Sequence, residues 1–180
     1  MRILKKYIWL ISFISPLCVI SQDANEELID WSSGKRLVWN DYKAKPDPTS
    51  DAAASTATYL GIEYNISNSG VTYKISCRFS KNKSWGAAKT DYILSHEQGH
   101  FDITEIFARK LNKVMSEYKF NKSTYQNDLQ KIYQDILDEK EVFQNQYDNE
   151  TDYSRIKDKQ AEWLKKISKM LEDLKEFADY

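Results

Sequence analysis

The 180-residue chain is short of several things. It has five glycines and three prolines, which argues against an all-β fold built on many tight turns and favours long helices. It has two cysteines, Cys18 and Cys77. If Cys18 leaves with a leader, Cys77 stands alone and no internal disulfide can form, so stability has to come from a packed core. There is no basic excess: 26 Lys and Arg stand against 27 Asp and Glu. That argues against a nucleic-acid binder, which needs a basic face. Histidine is as scarce as cysteine, with two copies, His96 and His100.

One apolar run stands out, at the start. Arg2, Lys5 and Lys6 precede Ile8 to Ile20, and Ser21-Gln22 opens a polar stretch. The pattern reads as a secretory signal peptide over 1–21, cleaved near Ser21. The run is short for a transmembrane helix, and an uncleaved anchor is the rival reading. Pro16-Leu17 stand before Cys18 where a lipidation site would have small residues, so lipidation is not expected. Removing the leader's three cations takes the net charge from −1 to −4. The expectation is an exported protein, periplasmic or secreted, with no stable membrane insertion after cleavage. Residues 22–180 suffice for one domain with a real core and are too few for two comfortable ones.

Along the chain, Trp31, Leu37, Val38 and Trp39 are expected to pack as an edge strand and a short helical turn. "KAKPDPTSD" reads as a loop. Leu60, Ile62, Tyr64 and Ile66 alternate with polar or small residues, and so do Val71, Tyr73, Ile75, Cys77 and Phe79, around Ser67-Asn68-Ser69-Gly70. Two period-2 runs about a turn predict an antiparallel hairpin at about 56–80 with one buried face, and Cys77 on that face reads as a small buried hydrophobe. "SKNKSWGAAKT" reads as a connector. From Thr90 or Asp91, a plausible N-cap, the period turns helical: Ile93, His96, His100, Ile103, Phe107, Leu111 and Val114 form one stripe running to about Tyr118. A second helix carries Tyr125, Leu129, Ile132, Ile136, Phe143 and Tyr147. "YDNETDYS" (147–154) reads as a polar loop. A last helix carries Trp163, Ile167, Met170, Leu171, Leu174 and Phe177.

Both histidines fall inside "SHEQGHFDITE", in the order His-Glu-x-x-His. Residues four apart on a helix lie about 40° apart around its axis, so His96 and His100 can share one metal ion. Glu97, about 80° from the middle of the pair, is too far round to be a ligand but can reach a water on the metal. Two ligands and a general base on one turn are the logic of zinc hydrolysis. A third protein ligand is needed, and no third histidine exists. Asp102 and Glu105 project about 140° and 160° away from the pair, so they are expected in outer, capping or surface contacts. The third ligand should be a distant acid, with a tyrosine as the lesser alternative, and "YDNETDYS", with Asp148, Glu150 and Tyr153, is the place to look.

These residues carry a resemblance. "SHEQGHFDITEIFARKL" (95–111) resembles the bacterial domain-of-unknown-function family 922, described as predicted secreted zinc-dependent proteases. "LVWNDYKAKPD" (37–47), the hairpin, Ser84-Trp85, "YDNETDYS", Gln160 and Trp163 are similar in kind and in order. The resemblance implies a metallopeptidase-like domain with a Zn2+ cofactor and a peptide or protein substrate. One departure matters. The family has a histidine after Tyr-Asp-x-x-Thr, where this chain has Tyr153. If that histidine is a zinc ligand, the chain has lost it and is weakened or inactive. If it stabilises an oxyanion, Tyr153 replaces it with a phenol, and Asp148 becomes the third ligand. The second reading is adopted, with Glu150 a weaker candidate because that position varies in the family.

The expected whole is a zincin-like α+β domain, a small antiparallel sheet packed on a long zinc-binding helix with two further C-terminal helices. Its expected chemistry is zinc-dependent hydrolysis of a peptide or amide bond. His96, His100 and Asp148 would hold the metal, Glu97 would be the base and Tyr153 the oxyanion donor. The alternative is a weak or inactive zinc-binding module that binds a cell-envelope partner.

Overall fold

The computed structural model describes residues 25–180. The expected signal peptide, with Cys18 and the cleavage point, lies outside the described residues. Five strands come first: Leu28–Asp30 (β1), Ala54–Ser55 (β2), Thr58–Ile66 (β3), Val71–Ser80 (β4) and Trp85–Gly86 (β5). Three helices follow: Asp91–Glu117 (α1), Tyr125–Thr151 (α2) and Lys157–Asp173 (α3). Short 3-10 turns cover Trp39–Asp41 and Lys175–Phe177. The class is α+β, with small antiparallel sheets and three helices.

The alternating runs form the expected hairpin. β3 and β4 pair antiparallel with Leu60 opposite Cys77 and Ile62 opposite Ile75. Facing residues share a side of the sheet, so Leu60, Ile75, Cys77 and Phe79 sink together into the core. β1 pairs on the other edge of β4. The expected edge strand and helical turn are present, but Val38 is exposed while Leu37 is buried. The stretch read as a plain connector contains β5, which pairs with β2 in a second, two-stranded sheet. Strands of two residues are too short to show alternation, so the sequence carries no period there.

α1 begins where expected: the Thr90 side chain accepts a hydrogen bond from the Ile93 backbone N–H at 3.2 Å, an N-cap. It packs against β3 and β4 on one side and against α2 and α3 on the other. The expected single stripe is therefore too narrow. Gln98, Asp102, Glu105 and Arg109, off the stripe, are all buried, whereas Val114, on it, is exposed. The reason is pairing. Asp102 accepts from the Trp31 indole (2.9 Å), Arg36 (2.8 Å) and Gln98 (2.8 Å), and Glu105 accepts from Arg109 (2.8 Å) and the Tyr180 phenol (2.5 Å). Buried charge is tolerated when it is paired and hydrogen-bonded. Asp102 and Glu105 do point away from the histidines, but into the interior rather than to the surface. Among the described residues no helix is long and apolar enough to cross a membrane.

Candidate metal centre

α1 carries His96 and His100 one turn apart, with their ring centroids 4.8 Å apart at 87°. The last turn of α2 lies across them. Residues Tyr147 to Thr151 belong to that helix, not to a loop, because Tyr147 and Thr151 are fully buried and continue its apolar face. Asp148 is thus held on a helix. Its Oδ1 stands 3.1 Å from Nε2 of His96 and 3.1 Å from Nε2 of His100, and the two Nε2 atoms are 3.2 Å apart. His96, His100 and Asp148 could hold a metal ion, each offering one ligand atom to a common point.

The far side of each ring is fixed. Nδ1 of His96 donates to Oε1 of Gln160 (2.8 Å), and Nδ1 of His100 donates to Oε1 of Gln144 (2.5 Å). The Gln144 amide nitrogen donates to the His100 carbonyl (2.9 Å), and that of Gln160 to the Tyr147 phenol (2.7 Å). Those donations set each amide's orientation, so each Nδ1 carries the proton and each neutral ring turns a bare Nε2 lone pair inward. Two lone pairs and a carboxylate then face one another about a point that only a positive charge can satisfy. The electrostatics agree. Burial pushes His100 down, but the hydrogen bond and charge of Asp148, the charge of Glu97 and the Gln144 bond outweigh it and carry the imidazole above its ordinary pKa. Burial pushes Asp148 up, but the hydrogen bonds and charges of His100 and His96 outweigh it and hold the carboxyl well below the usual range.

Tyr147 braces the site. Its ring stacks on His96 at 4.5 Å and 23° and lies directly over Gly99. A Cβ on Gly99 would stand 2.5 Å from the Tyr147 hydroxyl oxygen and 2.9 Å from Cζ. The glycine inside the motif is a clearance for this ring.

Glu97 sits beside the triangle, and its Oε2 accepts from the Thr56 hydroxyl at 2.6 Å. The Tyr42 phenol stands 2.9 Å behind Thr56; since Thr56 donates to Glu97, Tyr42 donates to Thr56. A cavity of about 500 Å³ opens over Glu97, both histidines and Asp148. Its opposite wall is the small-residue run around β2, including Ala53, Ala54 and Ser55. Tyr153 lines the same cavity at its rim, 52% exposed. It gets there through three successive left-handed residues, Asp152, Tyr153 and Ser154, with φ of 47°, 51° and 71°. Such backbone is strained in non-glycine residues. The turn is held by the Tyr153 N–H to the Asp148 carbonyl (2.9 Å) and by the Tyr92 phenol to the Ser154 carbonyl (2.6 Å).

Of the expected site residues, the fold brings His96, Glu97, His100, Asp148 and Tyr153 to one cavity. Glu150 is not among them: it turns outward, accepting from the Trp163 indole (2.8 Å) and from Gln146 (2.6 Å). Cys77 is buried and is not part of the ligand cluster. Sequence reasoning missed Gln144, Thr56 and Tyr42, and gave Gln160 and Gly99 no role. A polar residue on a helix's otherwise apolar face is the signal that Gln144 and Gln160 did carry. Thr56 gave none.

Fold and site together define an α+β domain whose central helix and the helix packed across it meet in a three-donor centre at the floor of a cavity. The chain belongs to the family described as Bacterial protein of unknown function (DUF922), whose model matches residues 36–155. That span starts at the Arg36 that pairs with Asp102 and ends just past the left-handed turn. No curated protein and no solved structure matches the chain.

Proposed function

We propose that this is a zincin-like, zinc-dependent hydrolase that cleaves peptide or other amide bonds, acting as an exported protein. The observation that carries the reading is the triangle of Nε2, Nε2 and Oδ1, with edges of 3.1–3.2 Å. Nitrogen and oxygen ligands about 2.0–2.2 Å from a tetrahedral zinc stand about 3.3–3.6 Å apart, so the donor set fits and its edges need open by only a few tenths of an ångström. The glutamine bonds to both Nδ1 atoms are the outer partners that zinc-binding histidines use.

Zinc held by His96, His100 and Asp148 would supply a Lewis acid for the substrate carbonyl and lower the pKa of a water. Glu97 would take a proton from that water and deliver it to the leaving amine. Thr56 occupies Oε2 of Glu97 and so presents Oε1 for the transfer. Tyr153, at the rim, would donate its phenol hydrogen to the oxyanion. The left-handed turn carries the chain away from the helix, and Tyr153 lines the cavity from it.

The test is hydrolysis of a mixed peptide panel by zinc-loaded protein, comparing wild type with Glu97→Gln. Activity that is lost in the variant while zinc is retained supports the hydrolase. A second reading is a non-catalytic zinc module that binds a cell-envelope partner. It is favoured by the exposure of Tyr153, whose phenol makes no hydrogen bond among the described residues. Zinc-replete wild type that cleaves nothing on the panel would favour that module.

A further inference from the structure

One charged side chain in the cavity has no role in the chemistry above. Lys140 lies on α2 one turn before Gln144 and two turns before Asp148, so the three form one row on the helix. All three line the cavity. Gln144 is engaged with His100, and Asp148 with both imidazoles. Lys140 has no ion pair or hydrogen bond among the described residues, although it is half-buried. Its own helix offers no acid at three- or four-residue spacing: the neighbours there are Ile136, Leu137, Phe143 and Gln144. Three other helical lysines are paired this way, Lys131 with Asp135, Lys159 with Glu162 and Lys169 with Asp173. The carboxylates that line the cavity, Glu97 and Asp148, are engaged by Thr56 and by the two histidines, and the rest of the wall around β2 is alanine, serine and threonine. Burial lowers the pKa of the Lys140 ammonium, and the nearby Cys77 and Glu141 only partly offset that. A half-buried cation without a counter-charge, beside a reactive centre, is a place where an anion binds.

We propose that Lys140 is a specificity-determining residue that receives a carboxylate of the substrate. Eight helical residues separate it from Asp148, about 12 Å along the axis. An extended chain advances about 3.3–3.6 Å per residue. The carboxylate therefore sits roughly two to four residues from the scissile amide, either as an acidic side chain or as a free C-terminus. This inference rests on the hydrolase reading for the location of the scissile bond, but binding can be measured without turnover.

The experiment uses zinc-loaded Glu97→Gln protein, which is designed to bind without cleaving. Labelled Ala-Gly hexapeptides carry a single Glu or its Gln twin at each position, each as free acid or as C-terminal amide. Affinity is read by fluorescence anisotropy, in the Lys140 background and with Lys140→Met or Lys140→Arg added. The expected result is that acidic peptides bind about ten- to a hundredfold tighter than neutral twins, the range of a hydrogen bond to a charged group. The preference disappears in Lys140→Met and survives in Lys140→Arg. Whether Glu amides or Gln free acids carry it identifies the source of the carboxylate. Equal affinity for the twins, a preference that persists in Lys140→Met, or no binding of any peptide overturns the proposal. Preference without hydrolysis by the Glu97 protein refutes the hydrolase and leaves the carboxylate site standing. Hydrolysis without preference does the reverse.

Discussion

Replacing Gly99 by alanine sets two effects against each other. Alanine in a helix interior is favoured over glycine by about 1 kcal/mol, so propensity alone predicts a more stable protein. The structure predicts the opposite. The new Cβ would meet the Tyr147 hydroxyl oxygen at 2.5 Å, Cζ at 2.9 Å and Cε1 at 3.0 Å. These are atoms of a rigid ring that is fully buried and hemmed in by His96, His100 and Trp163. Overpacking of this kind costs about 1–3 kcal/mol. A shifted ring would also break its hydrogen bond with Gln160 (2.7 Å), worth about 1 kcal/mol. After the propensity gain is deducted, Gly99→Ala destabilises by about 1–3 kcal/mol, or roughly 2–12 °C in Tm for a domain of this size. Circular-dichroism melts and urea titrations of wild type and variant measure it. Tyr147→Phe removes the nearest atom, so in its background the same alanine costs less, a coupling that a double-mutant cycle reads directly. A Gly99→Ala protein as stable as wild type, or more stable, refutes the account of how Tyr147 seats on the motif helix.

Other perturbations have equally definite outcomes. Thr56→Val leaves Glu97 without its hydrogen bond at Oε2 and lowers kcat about ten- to a hundredfold, from about 1.5–3 kcal/mol for a bond to a charged group. KM and zinc content stay unchanged, and Thr56→Ser restores the rate in steady-state peptide hydrolysis. Gln144→Leu or Gln160→Leu frees an imidazole to rotate and weakens zinc binding about ten- to a hundredfold, read by competition with a chelating dye. Metal-free protein depends on pH at both ends. His100, raised above its ordinary value of about 6.5, contributes stability that is complete below that value and lost as pH rises through the folded pKa. Asp148, depressed below 3.8, contributes stability that is complete above that value and lost as pH falls through the folded pKa. Melting temperatures of chelator-treated protein therefore peak between about pH 4 and 6.5, and His100→Ala removes the decline on the alkaline side.

Local pattern carried part of this structure and long-range pairing carried the rest. The hairpin was legible because one buried face imposes strict alternation on Leu60 to Ile66 and Val71 to Phe79. The start of α1 was legible from Thr90, and the inward convergence of His96 and His100 from their spacing alone. The end of α2 was not, because "YDNETDYS" looks polar throughout. Within the helix only Tyr147 and Thr151 are buried there, and two buried positions do not make a readable stripe. The burial of Asp102 and Glu105 was also hidden, since their partners Arg36, Trp31 and Tyr180 lie 66 to 75 residues away in the chain. The choice between Asp148 and Glu150 turned on helix geometry. Two residues apart on α2, they point about 160° apart, one across the histidines and the other to the Trp163 indole.

The central claim is that His96, His100 and Asp148 together hold a zinc ion. Metal analysis of the purified protein, after dialysis against a weak chelator, tests it most directly. The account predicts about one zinc per wild-type chain, little in Asp148→Ala and none in the His96→Ala, His100→Ala double variant, with Glu150→Ala still fully loaded. A wild type without zinc, or zinc retained in the double variant, would contradict it.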